Sequence, residues 1–196
     1  MSRPTLSPSA RIGILNRGEA AVRFVRAVKE HNARSGSVVI LDVRTGEVLA
    51  MANQPAYNPN NRGSLRSDHY RNRAVTDVFE PGSTIKPFAI GVALASGKYR
   101  ASTLLDTTPG YFRVGHNTIR DVRNYGVIDV TTVIQKSSNV GVSKIALSLE
   151  PENLWNMLAG VGFGAVTGIG FPGEASGVLP GYWKWHEIDQ ATIAFG

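Results

Sequence analysis

The chain has 196 residues, of which 42% are hydrophobic and 18% charged, a composition that builds a buried core in one domain or in part of a larger one. Its 21 glycines follow no three-residue period, so collagen-like and wholly disordered classes are excluded, and the absence of cysteine excludes disulfides, thiol catalysis and thiolate zinc sites. Of the net charge of +6, a surplus of five falls on residues 1–34 without interleaved aromatic residues, which argues against a nucleic-acid face and predicts no nucleic-acid partner.

Residues 1 to about 18 are rich in Pro, Ser and Arg and read as a frayed tail. From Ala20 to Ala33, Ala21, Phe24, Val25 and Val28 recur at helical spacing between charges, predicting a short amphipathic helix. The period then changes: Ser37-Val-Val-Ile-Leu-Asp-Val and Glu47-Val-Leu-Ala-Met-Ala flank Arg44-Thr45-Gly46, a hairpin signature. Asn53 to Asn72 is predicted as loop from its Asn, Pro and Gly. Pro81-Gly82 and Gly97 bracket a four-turn helix starting near Ser83, apolar on most faces and therefore buried. Thr107 to Asp129 is expected as loops with short extended pieces. Two short helices follow within Val130–Leu149, hinged at Ser137-Ser138-Asn139, and Pro151 opens another through Leu158. Gly160 to Gly181 reads as loop, including Gly168-Ile-Gly-Phe-Pro-Gly173, where Pro172 and the lack of a preceding strand argue against a dinucleotide fingerprint. The expected domain organisation is a tail with a short helix over 1–35 and one domain over 36–196.

Ser83-Thr-Ile-Lys86 sets a hydroxyl and an amine three residues apart, hence on one helix face. An apolar surrounding penalises the ammonium form, which brings a free amine within reach as a base for the hydroxyl, and the free N–H groups of a helix start favour an anion beside it. A capping serine beside a solvated lysine is the plainer reading of the same tetrad. The polar triplet Ser137-Ser138-Asn139 between two apolar runs is either a turn or a means of aiming a hydroxyl and a carboxamide into a cleft. Four scattered histidines, His31, His69, His116 and His186, form no ligand pair, so neither a metal nor a cofactor is expected.

Phe79-Glu-Pro-Gly-Ser-Thr-Ile-Lys-Pro-Phe, Lys136-Ser-Ser-Asn-Val-Gly and Thr167-Gly-Ile-Gly-Phe-Pro-Gly-Glu, in that order, resemble the class B penicillin-binding proteins of the division-septum transpeptidase (penicillin-binding protein 3) type. Ser37 to Asn61 and Thr118-Ile-Arg-Asp-Val support the resemblance, which covers roughly 36–196. It implies an α/β (α+β) chain with an incomplete β-lactamase/transpeptidase-like fold: an N-terminal β-hairpin and a helical region, with further strands of the sheet expected after Gly196. It also implies that Ser83 attacks the carbonyl of a D-Ala-D-Ala stem peptide, with Lys86 as general base. Ser137 would pass a proton to the leaving amine, Asn139 would hydrogen-bond the substrate amide, and the Ser83 N–H would serve the oxyanion. Glu80 and Val122 would border the cleft and bind substrate. Implied partners are peptidoglycan stem peptides, β-lactams and division-machinery membrane proteins, at the periplasmic face of the bacterial inner membrane.

No window of the chain approaches the ~20 apolar residues of a membrane span, and its start has no export signal. The family's third motif, Lys-Ser/Thr-Gly, does not occur either, so weak or no turnover is expected of this chain. Two other functions compete. A serine β-lactamase shares the first two motifs but needs a second base against water, for which Glu150 and Glu152 stand in no recognisable context; a non-catalytic β-lactam- or peptide-binding module would use the same cleft without covalent chemistry.

Overall fold

A computed structural model of the protein describes residues 19–57, 60, 63 and 69–196. The expected tail over 1–18 and part of the Asn53–Asn72 loop lie outside the described residues. The chain divides into two compact units, one of residues 1–77 with 170–175 and one of 78–169 with 176–196.

In the first unit, helix α1 (Glu19–Glu30) and the antiparallel strands β1 (Gly36–Leu41) and β2 (Val48–Gln54) occupy the places expected from the sequence. Alternation along β1 buries Val38 and Ile40 on one face, where they meet Phe24 of α1. Gly36 is required there, because a Cβ at that position would stand 2.7 Å from the Phe24 ring. The hairpin turn is built by Asp42, whose Oδ1 accepts from Arg44 N at 2.8 Å and Thr45 N at 3.1 Å while Gly46 takes a positive φ. Beyond β2, a short helix α2 (Arg73–Thr76) is tied back by Asn53, whose Oδ1 accepts from Ala74 N at 2.9 Å.

The second unit carries the candidate chemistry. A 3-10 turn, Gly82–Ile85, leads into helix α3 (Lys86–Ala95). The sequence suggested a single helix from Ser83; the structure begins it as a 3-10 turn. The cause is Pro87, which has no N–H to give to the Ser83 carbonyl, so that the Lys86 N–H takes it instead. The segment expected as loops and extended pieces forms four short strands, β3 (Leu104–Asp106), β4 (Tyr111–Val114), β5 (Asn117–Arg120) and β6 (Val127–Asp129). They pair antiparallel as β3 with β6 and β4 with β5.

Helices α4 (Val130–Lys136) and α5 (Asn139–Leu147) follow, hinged at the polar triplet as expected, and then α6 (Pro151–Gly160). Ala89, Val133, Val142, Ile145 and Leu154 form the centre of the core, in which α3 is packed by the three helices. The Gly168–Gly173 stretch is irregular backbone, with positive φ at Gly168, Gly170 and Gly173. A last helix, α7 (Glu187–Ile193), was not anticipated; it is preceded by a 3-10 turn at Tyr182–Lys184. It packs on α5, where the buried Gln190 amide donates to the Ala146 and Leu149 carbonyls at 2.8 Å each. Both carbonyls lie at or just past the end of α5, where the Ala146 carbonyl also accepts the Leu149 N–H at 3.0 Å. Each sheet among the described residues has two strands, so the helical core rather than a broad sheet holds this unit together.

Candidate active site

The site is assembled from three places in the sequence. Gly82, with φ of +65°, turns the chain into the 3-10 turn and sets Ser83 on its outer side. One turn on, Lys86 is only 2% exposed, enclosed by the core that α3 enters. The third piece is the α4–α5 corner. Ser137 ends α4 in the left-handed conformation, φ +55° and ψ 42°, which only a strongly held serine adopts at ordinary cost. Ser138 is wholly buried and caps α5, its Oγ accepting from Gly141 N at 2.8 Å.

These pieces meet at the Lys86 amine. Nζ lies 3.0 Å from Ser83 Oγ, 2.7 Å from Ser137 Oγ, 2.7 Å from the Ser137 carbonyl and 2.7 Å from Asn139 Oδ1. The two hydroxyls are 3.0 Å apart, closing a triangle of Ser83 Oγ, Lys86 Nζ and Ser137 Oγ. Four oxygens surround a nitrogen that carries at most three protons, and two of them, the carbonyl and the carboxamide oxygen, can only accept. Two N–H groups of the amine serve those acceptors, and its remaining position, a third N–H in the ammonium form or a lone pair in the neutral form, faces the two hydroxyls. Burial favours the neutral form, holding the Lys86 amine below the ordinary lysine value, while the Asp121 carboxylate opposes that shift. The arrangement can take a proton from Ser83 and pass it to Ser137, which is what activates an alcohol as a nucleophile.

Of the residues singled out in the sequence, Ser83, Lys86, Ser137 and Asn139 are brought into one hydrogen-bonded group. Glu80 and Val122 are not part of it; both stand exposed, Val122 at 96%. Asn139 is more engaged than expected, because its Nδ2 donates to the Arg120 carbonyl at 3.2 Å while its Oδ1 receives Lys86. The residue that sequence reasoning missed is Asp121, next to Val122. Its Oδ2 accepts from Ser138 Oγ at 2.7 Å, and its Oδ1 from Asn139 N at 2.6 Å and Val140 N at 3.0 Å. Among the described residues no group of three or more His, Asp or Glu is gathered as ligands for a metal ion.

Comparison with known proteins bears on this geometry. The family model described as the penicillin binding protein transpeptidase domain matches residues 36–196. The chain is 47% identical over 170 residues to the peptidoglycan D,D-transpeptidase FtsI of Escherichia coli K12, a match covering 87% of this chain and 29% of the relative. It is 46% identical over 171 residues to the probable peptidoglycan D,D-transpeptidase PbpC of Pseudomonas aeruginosa, covering 87% of this chain and 30% of that protein. Among solved structures, it resembles the apo transpeptidase domain of penicillin-binding protein 3 from Burkholderia pseudomallei at a TM-score of 0.79 and 40% identity, covering 89% of this chain and 48% of that one. The chain thus spans about a third of the length of these two curated relatives.

Proposed function

Because the chain belongs to the penicillin-binding protein transpeptidase family, we propose that it is the nucleophile-bearing part of a serine D,D-transpeptidase that cross-links peptidoglycan at the division septum. The observation that carries this reading is the buried Lys86 amine with Ser83 Oγ at 3.0 Å and Ser137 Oγ at 2.7 Å.

In the acylation step, the lone pair of neutral Lys86 takes the Ser83 proton as Oγ bonds to the carbonyl carbon of the penultimate D-Ala. The carbonyl π pair moves to oxygen, where the Ser83 N–H supports the oxyanion. When that pair returns, the bond to the terminal D-Ala breaks. Its nitrogen receives the proton held by Lys86, relayed through Ser137, and D-Ala leaves as the free amine. An amine of a second stem peptide then attacks the ester, gives its proton back along the same path and restores Ser83. A penicillin follows the first half of this course, but its leaving nitrogen stays tethered to the acyl group and blocks the second. Asn139 is assigned the substrate amide, and Glu80 and Val122 the borders of the cleft.

The lactamase alternative finds no support around Ser83. Glu150 precedes the first turn of α6, and Glu152 acts on the Tyr182 phenol, raising its pKa, away from the amine triangle. On family grounds we assign the whole protein to the periplasmic face of the inner membrane with division-machinery membrane proteins as partners; among the described residues, no helix is long and apolar enough to cross a membrane.

Intact-mass measurement after incubation with a penicillin tests the reading. One drug equivalent is expected, mapping to Ser83 and absent in Ser83→Ala, formed slowly compared with a chain extended through a Lys-Ser/Thr-Gly motif. Release of hydrolysed drug with rapid recovery of the unmodified mass would establish a lactamase instead. Drug retention with no covalent adduct in either chain would establish a binding module.

A further inference from the structure

The α4–α5 corner raises a problem that the amine triangle alone does not solve. Ser137 sits in a backbone conformation that costs a non-glycine residue about 1 kcal/mol or more, and Asn139 and Val140 then open α5 with N–H groups that have no helical partners. A corner free to relax would swing the Ser137 hydroxyl away from Ser83. Beside the Ser138 N–H on the Val133 carbonyl and the Asn139 amide on the Arg120 carbonyl, what opposes this is a carboxylate just past the end of β5. Asp121 receives the Ser138 hydroxyl and the Asn139 and Val140 N–H groups, three donors from consecutive residues.

We propose that Asp121 is a positioning residue of this centre: it clamps the Ser138–Val140 backbone so that Ser137 and Asn139 reach the Lys86 amine, and it sets one negative charge behind that amine. The inference rests on the transpeptidase reading above and adds to it a residue outside the three motifs that carry the resemblance.

The electrostatic half follows from what faces Lys86. Its immediate neighbours from α3 and the corner are neutral oxygens. On β5 the Arg120 guanidinium is turned over the Tyr111 ring, and between β5 and β6 that of Arg123 is turned over Tyr125. On the helices, Lys136 is exposed at the end of α4, and Lys144 of α5 donates to the Asp106 carbonyl. On α7, Asp189 pairs with His186. Asp121 is the charge that acts on the amine, favouring its protonated form against burial. The clamp therefore opposes the desolvation that frees the base, and removing it has two separable effects: misplacement of the corner, and easier deprotonation of Lys86.

The experiment compares the full 196-residue chain with its Asp121→Asn variant, using acylation of Ser83 by a fluorescent penicillin across pH and titration of the Lys86 ε-carbon by NMR. The variant is expected to acylate about 10- to 100-fold more slowly at its optimum, a loss of the size that misplaced catalytic groups produce. The Lys86 midpoint, and with it the acid limb of acylation, is expected to move to lower pH. A purely structural residue would lower the rate without moving either midpoint. An unchanged rate, or an unmoved Lys86 midpoint, overturns the proposal. If Asp121→Asn does not fold, Ser138→Ala removes one tie while keeping the charge; slower acylation with an unmoved midpoint is expected, and a wild-type rate overturns the clamp. If neither this chain nor one extended through a Lys-Ser/Thr-Gly motif takes an acyl group, the transpeptidase reading fails, while the Lys86 titration still decides on Asp121.

Discussion

Ser83 and Ser137, 54 positions apart in the chain, hold their hydroxyl oxygens 3.0 Å apart with the Lys86 amine in reach of both. The contact depends on the left-handed backbone at Ser137, so conformation and chemistry at that residue can be separated by substitution. Ser137→Gly keeps the backbone, since glycine adopts positive φ at no steric cost, and deletes only the hydroxyl. Its stability in urea is expected to stay within about 1 kcal/mol of wild type, the relieved strain offsetting the lost hydrogen bonds. Acylation by penicillin is expected to fall about tenfold or more for want of the relay. Equal loss of stability and activity would show that the hydroxyl serves the fold alone.

Lys86 offers a test that depends on pH. Burial lowers its pKa in the folded chain below the ordinary 10.5, so between the folded and unfolded values the unfolded chain binds a proton that the native one does not. Stability therefore rises with pH across that window. Lys86→Met fills the same slot with an uncharged chain of similar length. Chemical denaturation of both over the alkaline range is expected to show wild type gaining on the variant as pH rises, and an unchanging difference would place Lys86 in the ammonium form. Acylation in Lys86→Met should fall by about 100- to 10,000-fold, the range for loss of a positioned general base.

The Ser83–Lys86 pair was legible from the sequence because one helical turn fixes its geometry locally, and the Ser137–Asn139 corner because a polar triplet interrupts two apolar runs, although its middle member, Ser138, is buried. Asp121 was not legible. No periodicity relates a residue following β5 to the N–H groups of α5; only the strand pairing and the docking of the α4–α5 corner bring them together. The resemblance pointed within the Thr118–Val122 stretch to Val122, whose side chain stands in solvent, while the neighbouring Asp121 turns toward the corner. The 3-10 start of α3 is a related case, since it depends on which N–H replaces that of Pro87.

Helix α7 also escaped the sequence reading, because seven residues are too few to show a period; it is held by the buried Ala191 and Ala194, by Ser143 Oγ on the Ala191 carbonyl and by the Gln190 amide. Gln190 donates to the Ala146 and Leu149 carbonyls at the end of α5, and its replacement exposes how much that link holds. Gln190→Leu leaves the Leu149 carbonyl without its side-chain donor, while the Ala146 carbonyl keeps the Leu149 N–H at 3.0 Å, and a loss of about 1–3 kcal/mol in denaturant unfolding is expected at any pH. Gln190→Glu places a carboxylate, which can only accept, against two acceptors, so its neutral-pH loss is expected to be larger still. The native state then favours the protonated acid, which can donate to one carbonyl, and the side chain's folded pKa stands above its unfolded one. The deficit of Gln190→Glu should therefore shrink as pH falls through that raised value, while the deficit of Gln190→Leu stays constant. Parallel behaviour of the two variants would mean that the amide contributes nothing to holding α7 on α5.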